Sequence, residues 1–138
     1  MFARYRDQVD FYAVYIREAH PTDGWSMESN DRVGIKIEQP KTNEQRTLAA
    51  SQCCQSLKLS MPLLVDAIDD RVNRLYSGFP DRLYLIDRDG RVAYKGGRGP
   101  FGYKPRELEQ TMVLMLLNET PSEKTAVDEV TKKHGSDK

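Results

Sequence analysis

The chain has 138 residues, of which 38% are hydrophobic and 30% charged, which suits one compact domain with a polar surface. Its 21 basic residues balance its 21 acidic residues, which argues against a nucleic-acid-binding domain or a polybasic membrane patch. No apolar run approaches the roughly 18 residues of a membrane span, and residues 1–6 contain no hydrophobic signal core. We therefore expect a cytoplasmic protein that binds no nucleic acid and carries no membrane anchor in this chain.

The N-terminal part of the sequence predicts the end of a helix, a strand and a long loop. Apolar residues recur at helical spacing over residues 1–9. Residues 11–16 are rich in aromatic and β-branched side chains, which favour a buried strand. Residues 17–42 contain two prolines and two glycines, and a loop of this length in a compact domain is usually functional or disordered.

The middle of the sequence predicts two helices around a short strand. A helix that is capped by Thr42 or Asn43 runs to about Leu59. A strand follows at residues 63–65, and a second, short helix at residues 69–76. The side chains expected on the inward face of the first helix are Leu48, Ala49, Cys53 and Leu57.

The C-terminal part predicts a hairpin and a helix. Strands at residues 82–86 and 91–94 flank the turn Asp-Arg-Asp-Gly. Residues 96–100 hold three glycines and a proline, which predicts an irregular bend whose backbone needs glycine rather than a phosphate loop. Pro105 suits the first turn of a helix that continues through Leu116.

The order of these elements predicts an α/β, thioredoxin-like fold. In the C-terminal half of that fold a cis-proline precedes the first hairpin strand, so we expect a cis bond between Phe79 and Pro80. A mixed central sheet flanked by helices is expected to form one domain over residues 1–118. The polar residues 119–138 predict a disordered tail.

Four segments of the chain resemble the iodothyronine deiodinases, including bacterial deiodinase-like proteins. The first holds Glu-Ala-His-Pro-Thr-Asp-Gly-Trp, a long and chemically unusual string, and the similarity extends over about residues 9–117. The four segments are residues 15–25, 80–86, 94–100 and 102–108.

The resemblance implies an oxidoreductase of a selenoprotein family that removes iodine reductively from thyroid hormones or related phenols. In this family a selenocysteine or cysteine ends a strand and opens the following helix, where ionisation is favoured. Its selenolate or thiolate attacks the iodine, and an external thiol reductant regenerates it. The resemblance implies no bound cofactor and no metal, and it makes a homodimer an open expectation.

The first strand–helix unit, which carries the nucleophile in this family, is expected to be missing. Residues 1–8 resemble the tail of its helix, and its strand would lie between the predicted strands at residues 11–16 and 82–86. That gap would leave backbone groups unpaired along both neighbours. A selenocysteine codon read as a stop, with a restart at a later Met, explains the truncation; so does an engineered or natural fragment. We expect the chain alone to be inactive in deiodination.

Three residues are expected to line the substrate side of the site. His20 follows a strand and matches the family motif, so its imidazole could hydrogen-bond a phenol or supply the proton that replaces iodine. Otherwise it is a loop histidine bonded to backbone. Arg98 matches a family arginine and could bind a carboxylate or phenolate through two hydrogen bonds. Asp81 stands where the family often has Glu, and a surface ion pair is the alternative for both charged residues.

Four further residues have a chemical and a structural interpretation. Trp25, the only tryptophan, stacks on an aromatic substrate or anchors the long loop. Cys53 and Cys54 either regenerate the missing nucleophile or pack at the core, and the second interpretation is favoured. A disulfide between adjacent residues would strain the backbone. Asp66, at the end of a strand, either gives polar support to the site or caps a helix, and the cap is favoured.

One departure from the family keeps other functions open. Deiodinases that act on thyroid hormone carry a second histidine in the long loop, where this chain has Glu-Gln-Pro-Lys at residues 38–41. A thioredoxin- or peroxiredoxin-like thiol oxidoreductase is therefore an alternative. A non-catalytic fragment that is completed by a strand from a partner is another.

Overall fold

The computed structural model describes residues 1–24 and 36–119, with the side chain of Glu119 excepted. In that part of the chain, no helix is both long and apolar enough to cross a membrane. Helices and strands occur in the predicted order, which confirms the α/β class. The elements are α1 (Phe2–Tyr5), β1 (Ala13–Tyr15), α2 (Asn43–Ser56), β2 (Leu63–Val65), α3 (Arg71–Tyr76), β3 (Tyr84–Ile86), β4 (Val92–Lys95) and α4 (Pro105–Glu119).

The strands form two separate pairs. Strands β1 and β2 are parallel, with Ala13 opposite Leu63 and Tyr15 opposite Val65. Strands β3 and β4 are antiparallel, with an irregularity in register after Leu85. The described residues therefore form two two-stranded sheets. A continuous mixed sheet and a missing first unit remain predictions, and so does the disorder of residues 120–138, which lie outside the described residues.

The main apolar core lies between the hairpin and α4. Its buried members are Leu85 of β3 and Leu108 and Met112 of α4, and Met112 is only 1% exposed. Chain segments before β1 also pack on this core through Tyr5 and Val9. The predicted helix over residues 1–9 is shorter than expected, since α1 ends at Tyr5, but its apolar face is the one that packs.

Helix α2 begins at its predicted cap, and the face that it buries matches the prediction only in part. The Thr42 hydroxyl oxygen accepts the backbone N–H of Gln45 at 3.2 Å, which confirms the cap. Two leucines expected inside are on the surface, Leu48 at 62% exposure and Leu57 at 56%. The buried side chains are Arg46, Ala49 and Ala50, with half-buried Cys53 completing the stripe at helical spacing. The inward placement predicted for Ala49 and Cys53 is therefore confirmed, and that of the two leucines is wrong.

Arg46 is a buried charge at the centre of this face, with 3% exposure. Its Nη1 donates to the carbonyl oxygen of Ala67 at 2.6 Å and to that of Asp66 at 3.4 Å. It also lies 3.6 Å from Oδ1 of Asp70. A buried charge is tolerated only where hydrogen bonds and an opposite charge replace water, and Arg46 has both. It ties α2 to the segment between β2 and α3.

The Asp66 carboxylate caps α3, as predicted from its position after a strand. Its Oδ1 accepts the N–H of Val72 at 3.0 Å, and its Oδ2 accepts the N–H of Asn73 at 2.9 Å. The residue directly before the helix, Asp70, makes no such capping bond. Asp66 is 3% exposed, so the two N–H groups would have no water to replace it. The start of α3 is therefore fixed to the end of β2.

The predicted cis bond between Phe79 and Pro80 is present, and a second one joins Gly99 to Pro100. The glycine-rich bend needs glycine for space. A side chain on Gly99 would collide with the Asp81 carboxylate, and one on Gly102 would collide with the backbone of Gly97. None of these three has a positive φ, so the close approach of backbone segments, and not an unusual backbone conformation, excludes other residues.

We predict that Asp66→Ala lowers the free energy of unfolding by about 2–3 kcal/mol, because it leaves buried N–H groups of α3 without an acceptor. Asp89→Ala is the matched control, since Asp89 is an exposed residue of the hairpin turn with only a surface ion pair to Arg91. Its effect should stay within about 0.5 kcal/mol. Urea titration followed by circular dichroism measures both, and equal losses for the two variants would contradict the capping role.

Candidate functional site

The chemically active side chains lie near the carboxyl ends of β1 and β2. Strand β1 ends at Tyr15 and β2 at Val65, and the two strands are parallel, so both ends meet at one edge. Ligand sites of open parallel sheets lie at this edge. The loop after β1 contains His20, which is half-buried there.

Tyr15, Glu18 and His20 form a connected polar group. The Tyr15 hydroxyl donates a hydrogen bond to Oε1 of Glu18. Burial raises the pKa of the Glu18 carboxyl, and the nearby charge of His20 opposes that shift in part. A carboxyl with a raised pKa keeps its proton at higher pH than an ordinary glutamic acid. The raised pKa thus marks Glu18, in the same loop as His20, as a perturbed carboxyl at this edge of the sheet.

Gln39 holds the loop of this group in place. Its Oε1 accepts the backbone N–H of Glu18 at 3.0 Å, and its Nε2 donates to the Glu18 carbonyl at 3.4 Å. Its own backbone N–H donates to Oδ1 of Asp23 at 2.8 Å. In the sequence, residues 38–41 were notable only because they lack the second histidine of hormone-specific deiodinases. The structure shows that Gln39 instead makes the contacts that fix the position of Glu18.

The two cysteines are free and half-buried on α2. Burial raises the pKa of the Cys53 thiol, and the charges of Glu18 and Cys54 raise it further. A reactive thiol needs the opposite shift, since the thiolate is the nucleophile. Cys53 also belongs to the inward stripe of α2, which agrees with the structural interpretation. A redox role for Cys53 or Cys54 stays a prediction.

A pocket of about 290 Å³ lies next to the loop that follows β1, since Arg17 of that loop lines it. It places Arg98, from the loop after the hairpin, together with Arg17, the residue before Glu18. The guanidinium of Arg17 lies over the ring of Phe79, 4.1 Å from its centroid. The full lining consists of Arg17, Asn73, Arg74, Ser77, Phe79 and Arg98.

The other predicted site residues are placed less centrally. Asp81 is exposed, and its carbonyl oxygen accepts the N–H of Gly99 at 3.1 Å, but it does not line the pocket. Among the described residues, neither Asp81 nor Arg98 forms an ion pair. Trp25 lies outside the described residues. Over residues 1–24 and 36–119 there is no group of three or more His, Cys, Asp or Glu side chains that could hold a metal ion.

Several residues of the site were not singled out from the sequence. Tyr15 and Glu18 lie within the family-like motif. A hydrogen bond between a tyrosine at the end of a strand and an acid three residues later could therefore have been predicted from the sequence. Arg17 stood there too, as a basic residue beside an acid. Arg74 had no such signal, because only the fold brings α3 next to the end of β1.

Comparison with known proteins places the chain in a family. The family model described as iodothyronine deiodinase matches residues 1–115. Thyroxine 5-deiodinases of Sparus aurata and Gallus gallus are 42% and 41% identical over 106 residues, which is 77% of this chain. The type II iodothyronine deiodinase of Homo sapiens is 34% identical over 101 residues, or 72% of this chain.

The chain spans 38%, 39% and 37% of the length of these three relatives, respectively. The matched part includes the loop of Tyr15, Glu18 and His20 and the pocket of Arg98, since both lie within residues 1–115. The chain belongs to the iodothyronine deiodinase family.

Proposed function

We propose that this chain is the substrate-side part of a thiol- or selenol-dependent oxidoreductase that removes iodide from an iodinated phenol. The observation that carries the proposal is the group of Tyr15, Glu18 and His20 at the end of β1, in a chain of the deiodinase family. The nucleophile comes from residues outside these 138. An external thiol regenerates it, and a homodimer is the proposed assembly.

The reaction needs a proton at the carbon that loses iodine. The selenolate or thiolate takes the iodine, and a proton takes the place of iodine on the carbon. Two thiols of the external reductant then displace iodide, free the nucleophile and are oxidised to a disulfide. His20 is the proposed proton donor or phenol contact, with Glu18 and Tyr15 behind it as proton reserve. Arg98 is proposed to bind an anionic group of the substrate. Asp81 and Trp25 are proposed to contact substrate at the margin.

The sheet arrangement supports a thioredoxin-like fold with one strand to be added. Each of β1 and β3 has one hydrogen-bonded neighbour in the described residues, namely β2 and β4. A strand placed between β1 and β3 would pair with both and join the two sheets into one mixed sheet. In that position its carboxyl end would deliver the nucleophile to the edge where His20 lies.

The nucleotide sequence upstream of the Met1 codon tests this proposal. We expect an in-frame apolar strand, then a cysteine codon or UGA, then the start of a helix. The protein extended by that segment should release iodide from an iodinated phenol with a thiol reductant. His20→Gln should slow this release by at least about 100-fold through loss of the proton donor. His134→Gln, which replaces the only other histidine, is the control and should be without effect.

An unrelated upstream sequence would contradict the proposal, and so would an extended protein that releases no iodide.

The 138-residue chain itself should release no more iodide than its Cys53→Ser, Cys54→Ser double variant. Burial raises the pKa of Cys53, so its thiolate is scarce near neutral pH. An iodide-selective electrode measures both proteins with dithiothreitol present. Iodide release by the unaltered chain that the double variant lacks would make these cysteines the site and overturn their structural interpretation.

Glu18 gives a prediction for stability against pH. Its pKa is raised in the folded chain, so the folded state binds more protons than the unfolded state, and stability falls as pH rises from about 4.3 through the raised value. Glu18→Gln can still accept the Tyr15 hydrogen bond but removes this loss. Its Tm relative to the unaltered chain should therefore increase between about pH 4 and pH 7.

Glu38→Gln, which replaces an exposed carboxylate, is the control and should show a smaller change in relative Tm. A Tm difference for Glu18→Gln that does not vary with pH would mean that the carboxyl is not perturbed by burial.

A thiol oxidoreductase of thioredoxin or peroxiredoxin type is the second candidate function. The observation in its favour is that Glu38 and Gln39 stand in the region where hormone-specific deiodinases have a second histidine. The Gln39 side chain instead makes two hydrogen bonds to the backbone of Glu18. Turnover of peroxide alone by the extended protein would select this candidate, while an extended protein inert to both substrates would select a non-catalytic fragment.

A further inference from the structure

The pocket beside Phe79 concentrates positive charge. Three of its six lining residues are arginines, namely Arg17, Arg74 and Arg98, and none of the six is acidic. The chain as a whole has zero formal net charge, so this concentration does not follow from composition. The three arginines come from three separate segments, and the fold brings them to one cavity.

The three guanidinium groups retain donors for a ligand. Arg74 donates through one Nη1 to the carbonyl oxygen of Asp69, which leaves its other N–H groups. Arg17 stacks over the ring of Phe79, a contact that uses its face and leaves its edge free. No carboxylate among the described residues forms an ion pair with Arg17, Arg74 or Arg98.

Two hydrogen bonds hold the Asn73 side chain in the wall of the pocket. The Asn73 side chain donates to Oδ2 of Asp70 at 2.6 Å and accepts the N–H of Phe79 at 2.8 Å. It therefore shapes the pocket and holds Phe79 under Arg17. Ser77, the residue after α3, also lines the pocket and adds a hydroxyl group.

Three like charges around one cavity repel each other, and an anion between them removes that cost. Guanidinium groups match planar and tetrahedral oxyanions through paired hydrogen bonds. We propose that this pocket binds a divalent oxyanion, sulfate or phosphate, held by Arg17, Arg74 and Arg98 together. The proposal extends beyond the substrate role given to Arg98 and stands without the dehalogenation, because its readout is anion binding.

Isothermal titration calorimetry of the full 138-residue chain with inorganic phosphate tests the proposal. Sodium chloride keeps the ionic strength constant during the titration. Arg74→Gln should weaken phosphate binding about tenfold, the effect of losing one charged hydrogen-bond donor. Arg91→Gln removes the same charge from the exposed hairpin turn and should leave the affinity unchanged. Arg17→Gln is a second pocket variant in case Arg74→Gln lowers the Tm.

Phenyl phosphate distinguishes the source of the anion. Equal affinity for phosphate and phenyl phosphate supports a site for the free anion, and tighter binding of phenyl phosphate supports an anionic group carried by an aromatic ligand. Absence of phosphate binding at constant ionic strength would overturn the proposal. It would equally be overturned if the folded pocket variants bound phosphate as the Arg91→Gln control does.

Discussion

The buried contact of Arg46 with the segment after β2 is the interaction on which the site depends. Arg46 fixes the chain at Asp66, whose carboxylate fixes the first turn of α3. Helix α3 carries Asn73, which holds the backbone of Phe79, and Phe79 supports the guanidinium of Arg17. A continuous series of contacts thus runs from the interior of α2 to the mouth of the pocket, and short helices acquire defined positions from hydrogen bonds that water cannot replace.

That dependence also has an energetic side. Burying Arg46 costs desolvation free energy, and its Nε has no hydrogen-bond partner in the described part of the chain. Asp70 at 3.6 Å compensates only in part. An apolar residue would avoid the cost but could not bind the carbonyl oxygens of Asp66 and Ala67. The charge of Arg46 therefore contributes more to the position of the segment between β2 and α3 than to the free energy of folding.

Much of the fold follows from local patterns, and the exceptions share a cause. Features that depend on neighbours in sequence could be predicted, namely the cap at Thr42, the strand at residues 63–65 and the Asp66 cap. The inward placement of Leu48 and Leu57 was wrong because hydrophobicity alone ranks leucine above alanine. The helix buries Ala49, as predicted, together with Arg46 and Ala50, and it packs against β2. The contacts of α2 with β2 and the bonds of Arg46 to the segment after β2, which no local sequence pattern contains, decided the rest of the face.

The candidate site likewise has a part that the sequence predicted and a part that only the structure shows. His20 was predicted because its motif is continuous in sequence, and the structure supplies what the motif lacks: the hydrogen bond from Tyr15 to Glu18 and the clamp from Gln39. The pocket could not be predicted, because Arg74 reaches it only through the packing of α3.

Two adjacent residues link the proposed chemistry to the proposed anion site. Arg17 is exposed and faces the pocket over Phe79, whereas Glu18 is half-buried against Tyr15 and near Cys53. The side chains of Arg17 and Glu18 thus extend from the same short loop into different surroundings, the cation towards the pocket and the acid towards Tyr15. Gln39 holds the backbone of Glu18 from both its N–H and its carbonyl side, so the divergence of the two side chains starts from a backbone that hydrogen bonds keep in place.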